Sequence, residues 1–276
     1  MWELHQLGLG GILADDMGLG KTMQVLALLC REREQEPGRS GRTSRGESRL
    51  VGPTLLVCPM SVVGAWQREA RAFAPHLAVH VHHGGDRVRD ESFAAGAADM
   101  DLVITTYALL ARDLPVLQRV DWHRVVYDEA QHLKNAHTQV SQAARRLRPP
   151  HRLALTGTPV ENRLEDLHSL MEVVEPGLLG KAADFSEHVA SPISKEADPG
   201  ALARLKLVTS PFVLRRVKTD RAIIADLPEK RELTRTVTLT PEQAGLYQAL
   251  VEDLKDQLDT ATQKQRRSVV VSTLTR

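Results

Sequence analysis

The chain has 276 residues, 42% of them hydrophobic, enough for one large or two modest domains with a sizeable core, which excludes disorder throughout. Its 36 Lys and Arg against 35 Asp and Glu leave a net charge of +1, so no global basic field marks a nucleic-acid binder and any such contact has to be local. Two cysteines, Cys30 and Cys58, are too few for a disulfide framework, no apolar run approaches the roughly 18 residues of a membrane span, and Asp15 and Asp16 interrupt any secretory leader.

In chain order, the apolar run Gly11-Ile12-Leu13-Ala14 predicts a short strand, and Asp15-Asp16-Met17-Gly18-Leu19-Gly20-Lys21-Thr22 after it predicts a phosphate-binding loop. Backbone N–H groups of Asp16, Met17, Gly18, Leu19 and Gly20, with the positive end of a following helix, suit a triphosphate. Lys21 would meet the β- and γ-phosphates and Thr22 an Mg²⁺ ion, so the expected ligands are ATP and Mg²⁺. Met23, Val25, Leu26, Leu28 and Leu29 give the helix that should follow. Asp15 stands where the general pattern G-x-x-x-x-G-K-[ST] has its first Gly. Residues 31–52, rich in charge, Gly and Ser, read as a mobile surface loop.

From there β-rich runs alternate with helix-period segments. Strands are expected at 54–58, 77–81, 102–107, 125–127 and 153–155, and helices at 62–73, 87–98, 108–120, 138–147 and 164–174. Such alternation implies parallel strands with crossover helices. After Pro176 the rhythm stops, and residues 177–226 read as a helical appendage broken at Pro192, Pro199 and Pro211. Thr240-Pro241-Glu242-Gln243 then predicts a capped helix whose apolar stripe, Leu246, Leu250, Leu254 and Leu258 among it, needs a partner.

The second chemical feature is Val125-Val126-Tyr127-Asp128-Glu129-Ala130-Gln131, an apolar strand ending in two carboxylates. In a parallel sheet, ligands gather at the carboxyl ends of strands, so both acids would meet the triphosphate. Asp128 would hold Mg²⁺ with Thr22, and Glu129 would orient and deprotonate the attacking water. Leu155-Thr156-Gly157-Thr158-Pro159 is a further strand end at which Thr156 or Thr158 could sense the γ-phosphate, although the string is also ordinary turn chemistry. His76, His80, His82 and His83 read as a half-buried strand segment rather than a metal site. Arg215, Arg216 and Lys218 suit either a nucleotide or DNA contact or pairing with structural carboxylates, the latter being favoured.

Taken together, the strings 11–22, Asp128-Glu129-Ala130-Gln131, 155–159 with Glu161-Asn162, and Leu214-Arg215-Arg216-Val217-Lys218 resemble the first lobe of a Swi/Snf-type ATPase of helicase superfamily two. Cys58-Pro59 with Ser61 and Trp66, residues 104–107, and Asp226-Leu227-Pro228 with Lys230 extend the likeness over nearly the whole chain. The family commonly has an acidic residue at the position of Asp15. Gln131 stands where many relatives have His.

The resemblance implies an α/β, recombinase-like P-loop NTPase lobe with a doubly wound, mainly parallel sheet and a helical C-terminal appendage. Its expected divisions are 1–176 for the ATP-binding lobe, 177–230 for the appendage and 231–276 for a connector toward a second lobe. It implies movement along double-stranded DNA driven by ATP, with Pro59, Ser61, Thr105 and Thr106 near the DNA backbone; each of these also suits a helix cap or a strand. By the same likeness the chain starts after the adenine-contacting Gln and stops before the second lobe with its arginine finger, so alone it is expected to be nearly inactive. An unwinding helicase and a non-catalytic scaffold are the alternatives. The expected location is the cytoplasm, on the nucleoid, for a bacterium and the nucleus for a eukaryote.

Overall fold

A computed structural model describes residues 1–34, 51–157, 163–220 and 233–260. The elements run α1 (Trp2–Gln6), β1 (Gly11–Leu13), α2 (Lys21–Glu34), β2 (Thr54–Cys58), α3 (Met60–Phe73), β3 (Val79–Val81), α4 (Ser92–Ala98) and β4 (Leu102–Thr106). They continue through α5 (Tyr107–Arg112), α6 (Leu114–Leu117), β5 (Arg124–Tyr127), a 3-10 turn (Ala130–Leu133), α7 (Gln139–Arg146), β6 (His151–Leu155) and α8 (Leu164–Val174). Then come α9 (Ala182–Phe185), a π-helical turn (Ser186–Ala190), α10 (Ser191–Glu196), α11 (Pro199–Thr209), β7 (Val213–Leu214) and α12 (Pro241–Thr260).

The strands form one sheet in the order β3-β4-β2-β5-β6-β1-β7, and every pairing in it is parallel. Its central strands are buried along their whole length, so their sequences are continuous apolar runs with both faces covered by helices. The pleat divides them between two cores. Ile12, Leu55, Val57, Val103, Val125 and Tyr127 pack on one side with α5, α7 and α8. Leu13, Leu56, Cys58, Ile104, Val126 and Leu155 pack on the other with α2 and α3, around Trp66. Cys58 is buried, its thiol directed at the Thr105 carbonyl 3.7 Å away, and burial pushes its pKa up to about 12.

Three sequence expectations are corrected. The helix expected over 108–120 is two, because Asp113 leaves helical geometry and Pro115 opens α6 where its missing N–H costs nothing. The helix expected from residue 87 begins only at Ser92, since Arg87 is drawn instead onto Asp113 and the Gly84 carbonyl. The appendage is not purely helical: β7 returns to the sheet beside β1, with Ile12 N–H donating to Phe212 O at 2.7 Å and Ala14 N–H to Leu214 O at 2.7 Å. Two residues are too few to show a strand period in sequence. Helix α1 also has no sequence signal strong enough to anticipate it.

The loop expected at 31–52 is helical to Glu34, and residues 35–50 lie outside the described residues. The chain divides into two compact units, Met1–Leu227 and Pro228–Arg276. In the second, the capping box of α12 is formed: Gln243 N–H donates to Thr240 Oγ1 at 3.3 Å, and Thr240 N–H to Gln243 Oε1 at 3.1 Å. Among the described residues no helix is long and apolar enough to cross a membrane.

Candidate functional site

Strand order puts the carboxyl ends of β5, β6, β1 and β7 side by side. Four sequence-distant segments therefore meet on one edge: Asp128-Glu129 after β5, Thr156 after β6, the loop 15–20 after β1, and Arg215 to Lys218 after β7.

The loop turns through Gly18 at φ 83° and Gly20 at φ 72°, a region that a side chain would strain. Among the described residues the N–H groups of Gly18, Gly20, Lys21 and Thr22 take no hydrogen bond, and they open the 14-residue helix α2. A concave run of free donors at a helix start fits phosphate oxygens. The Lys21 ammonium is folded back on the loop, donating to the carbonyls of Asp15 at 2.7 Å and Asp16 at 3.4 Å.

Asp15 is completely buried. Arg216, 201 residues away, closes on it: the Arg216 backbone N–H donates to Oδ1 at 3.0 Å, Nε to both carboxylate oxygens at 3.2 and 3.1 Å, and Nη2 to Oδ2. Gln24, one turn into α2, joins them, donating to Asp15 at 3.3 Å and accepting from Arg216 Nη2 at 2.7 Å. Asp16 completes the seam, its N–H donating to Arg216 O at 3.1 Å and its Oδ2 accepting from Lys218 N–H at 3.0 Å. The acid at the first loop position thus ties the phosphate loop to β7. Sequence alone gives two hints of this, a carboxylate where a Gly is usual and a basic cluster at 215–218 suited to pairing with structural carboxylates, but not which of them meet.

Asp128 is nearly buried and its two oxygens are held by different donors: Trp66 Nε1–H to Oδ2 at 2.7 Å and Glu129 N–H to Oδ1 at 2.9 Å. Burial raises its pKa above the usual carboxylate value; the Trp66 bond opposes that rise, Glu129 adds to it, and Lys21 acts against it through space. Each oxygen keeps a lone pair, and carboxylate oxygens of this kind, like the hydroxyl of Thr22, are the hard donors that Mg²⁺ takes. Glu129 sits in the left-handed region, φ 51° and ψ 52°. Its Oε2 accepts from Gln131 Nε2 at 2.8 Å, and Gln131 Oε1 accepts from Thr156 Oγ1 at 3.1 Å, so one hydrogen-bonded chain joins the ends of β5 and β6.

A family model for the SNF2-related domain matches residues 1–276. The chain belongs to the SNF2-related domain family. Among its relatives, the "Putative ATP-dependent helicase/translocase YwqA" of Bacillus subtilis (strain 168) is 41% identical over 273 residues, covering 99% of this chain and 28% of that protein. The human "DNA excision repair protein ERCC-6" is 34% identical over 266 residues, covering 91% of this chain and 18% of that protein. The solved Sulfolobus solfataricus SWI2/SNF2 ATPase core in complex with dsDNA superposes with a TM-score of 0.71 at 42% identity, over 99% of this chain and 54% of that one. The chain thus spans less than a third of these two relatives and about half of the solved core.

Other candidate residues of this SNF2-related domain stand at the carboxyl ends of β2 and β4, further along the same edge of the sheet, or face inward. Pro59 precedes α3 as its N-cap residue and Ser61 is exposed on the first turn. Thr105 is buried with its hydroxyl donating to His82 O at 3.2 Å, and Thr106 caps α5 by accepting from Leu109 N–H at 3.4 Å. Thr158 lies outside the described residues. The histidine tract is dispersed: His80 is exposed, whereas His82 is buried and paired with Asp113 at 3.0 Å.

Proposed function

We propose that this domain is the ATP-binding lobe of a DNA-dependent ATPase that moves along double-stranded DNA. The observation that carries the reading is the convergence of Lys21, Thr22, Asp128 and Glu129 at neighbouring strand ends, in a family that includes an ATPase core solved with dsDNA. Bound Mg²⁺ supplies positive charge against the phosphates. Thr22 and Asp128 would hold that ion. Lys21 leaves the carbonyls of Asp15 and Asp16 for the phosphate oxygens, a neutral contact exchanged for a charged one. Glu129, aimed by Gln131, orients the attacking water and accepts its proton.

A second lobe would supply the other wall of the cleft and an arginine finger, a contribution of about 10³ to 10⁵ in rate, so the 276 residues alone should hydrolyse ATP very slowly. DNA would be held through phosphates, near Pro59 and Ser61 and, after local rearrangement, the segment of Thr105 and Thr106. The work site is wherever duplex DNA lies, the nucleoid or the nucleus.

The name of the Bacillus relative couples helicase with translocase, and one experiment separates the two. With the full-length protein, ATP turnover should rise with duplex DNA of any sequence, and a third strand should be displaced from a triplex while a plain forked duplex stays paired. Stimulation by RNA alone, or efficient unwinding, selects the helicase reading; turnover indifferent to all nucleic acid rejects both.

Trp66 gives a test of the ion site. Trp66→Phe removes the donor to Asp128 and lets its pKa rise further, so the Mg²⁺ concentration for half-maximal turnover should increase roughly tenfold, as expected for a lost bond of about 1.5 kcal/mol to a charged group. The acid limb of the pH profile should move to higher pH. An unchanged Mg²⁺ requirement would remove Asp128 from the ion site.

A further inference from the structure

We propose that His5, His123 and His151 form a site for one divalent transition-metal ion of the Zn²⁺ type, at the end of the sheet opposite the nucleotide loop. His5 lies on α1 before β1, His123 immediately precedes β5, and His151 begins β6. Asp128 and Thr156 follow those same strands, so the two sites are separated by the length of a strand, roughly 15 Å.

One nitrogen from each of the three imidazoles lies within 4.8 Å of the other two, and no other such group occurs among the described residues. The rings are in mutual contact, with centroids 4.2 Å apart for His5 and His151, 4.9 Å for His123 and His151, and 5.4 Å for His5 and His123. Nε2 of His123 and Nδ1 of His151 are both buried without a hydrogen-bond partner among the described residues. Folded proteins rarely leave such atoms unmatched, and an ion shared by the cluster would satisfy them. Burial holds His123 and His151 neutral, with pKa values lowered to about 4, so their ring lone pairs are free of protons at neutral pH.

The neighbouring charges do not forbid a cation. Arg124 is closed on buried Glu32, Nη1 donating to Oε2 at 2.8 Å and Nη2 to Oε1. His5 touches both partners, Nδ1 facing Arg124 Nη2 at 3.0 Å and Nε2 facing Glu32 Oε1 at 3.4 Å. An ion bound at His5 takes over one of these contacts while the Arg124–Glu32 pair stays closed through its own bonds. A carboxylate beside a ligating imidazole is also the usual outer support of a zinc ligand. A cavity of about 20 Å³ lies beside His5, Arg124 and His151, and His123 is not part of its lining. Tetrahedral Zn–N bonds of 2.0–2.1 Å require nitrogens roughly 3.3 Å apart, so from separations within 4.8 Å the three rings must close by up to about 1.5 Å, within reach of side-chain rotation. Three neutral nitrogens and no thiol favour Zn²⁺, Co²⁺ or Ni²⁺ over Mg²⁺ or Ca²⁺, which take oxygen.

The full-length protein, stripped with a chelator, should bind one Co²⁺ per chain with the intense visible absorption of a tetrahedral nitrogen site, displaced by Zn²⁺. Binding should weaken at least 100-fold in the His123→Ala/His151→Ala variant and persist in Asp128→Asn. X-ray absorption of the Zn²⁺-loaded wild type should show nitrogen neighbours at about 2.0 Å with imidazole scattering, a measurement that stands even where the double variant fails to fold. No stoichiometric binding, retention of the metal by the folded double variant, loss of it in Asp128→Asn, or an oxygen-only shell overturns the site.

Discussion

Glu129→Gln in the full-length protein should bind ATP and Mg²⁺ as the parent does and lose about 10²- to 10⁴-fold in kcat, the usual worth of a positioned general base. The amide is nearly isosteric, and its carbonyl oxygen can still accept from Gln131 Nε2, now 2.8 Å from the carboxylate. Asp128 keeps Trp66 Nε1–H and the residue-129 N–H, so the ion site is undisturbed. What disappears is an oxygen basic enough to take the proton of water. The backbone points the same way: Glu129 is one of two described non-glycine residues at positive φ, and its left-handed geometry costs on the order of 1–3 kcal/mol that the surrounding bonds must outweigh. The loss should therefore appear in kcat, with KM for ATP nearly constant. Equal turnover in parent and variant would remove Glu129 from the proton transfer; a raised KM with full kcat would make it a binding residue.

The glycine turn after β1, the carboxylate pair after β5 and the strand ending before Thr156 were legible in position because each is a local string set by residue type and spacing. Parallel strands were legible for a related reason: the segments 55–58 and 125–127 are buried on both faces and are apolar throughout. Pairings between remote segments leave no such trace. Arg216 reads as one cation among several until β7 sets it against Asp15, and Val213–Leu214 is too short to have a period. The orientation of Trp66 toward Asp128 depends on how α3 lies on the sheet, and the meeting of His5, His123 and His151 depends on where α1 docks. Thr105 shows the reverse limit: a hydroxyl that looks available in sequence is buried and used at home.

Arg216→Ala should destabilise the domain by about 3 kcal/mol and weaken ATP binding. Asp15 is completely buried, and losing the guanidinium leaves its charge with Gln24 Nε2 at 3.3 Å as its remaining side-chain donor. Breaking a buried pair costs about 3–5 kcal/mol; the lower figure applies because the Arg216 side chain is 37% exposed and water can partly replace it. Asp15→Asn combined with Arg216→Ala should cost less than Arg216→Ala alone, since a neutral amide needs no cation, and that sign of coupling identifies the pair. The pH dependence has a definite direction. Burial pushes the Asp15 carboxyl up, but the bonds from Arg216 and Gln24 outweigh it and leave the pKa below the ordinary value. A carboxyl with a depressed folded pKa stabilises the fold above its unfolded value of about 4, and that contribution is lost as pH falls through the folded value. Urea unfolding of parent and Arg216→Ala should thus differ by a constant amount from pH 8 to about 5 and converge below about pH 4. Nucleotide affinity should fall as well, because Arg216 and the nearby Lys218 N–H hold Asp15 and Asp16 at the start of the loop whose donors would face the phosphates. Strictly additive losses in the double variant, or a gap that widens at low pH, would mean that Arg216 stabilises the domain through something other than Asp15.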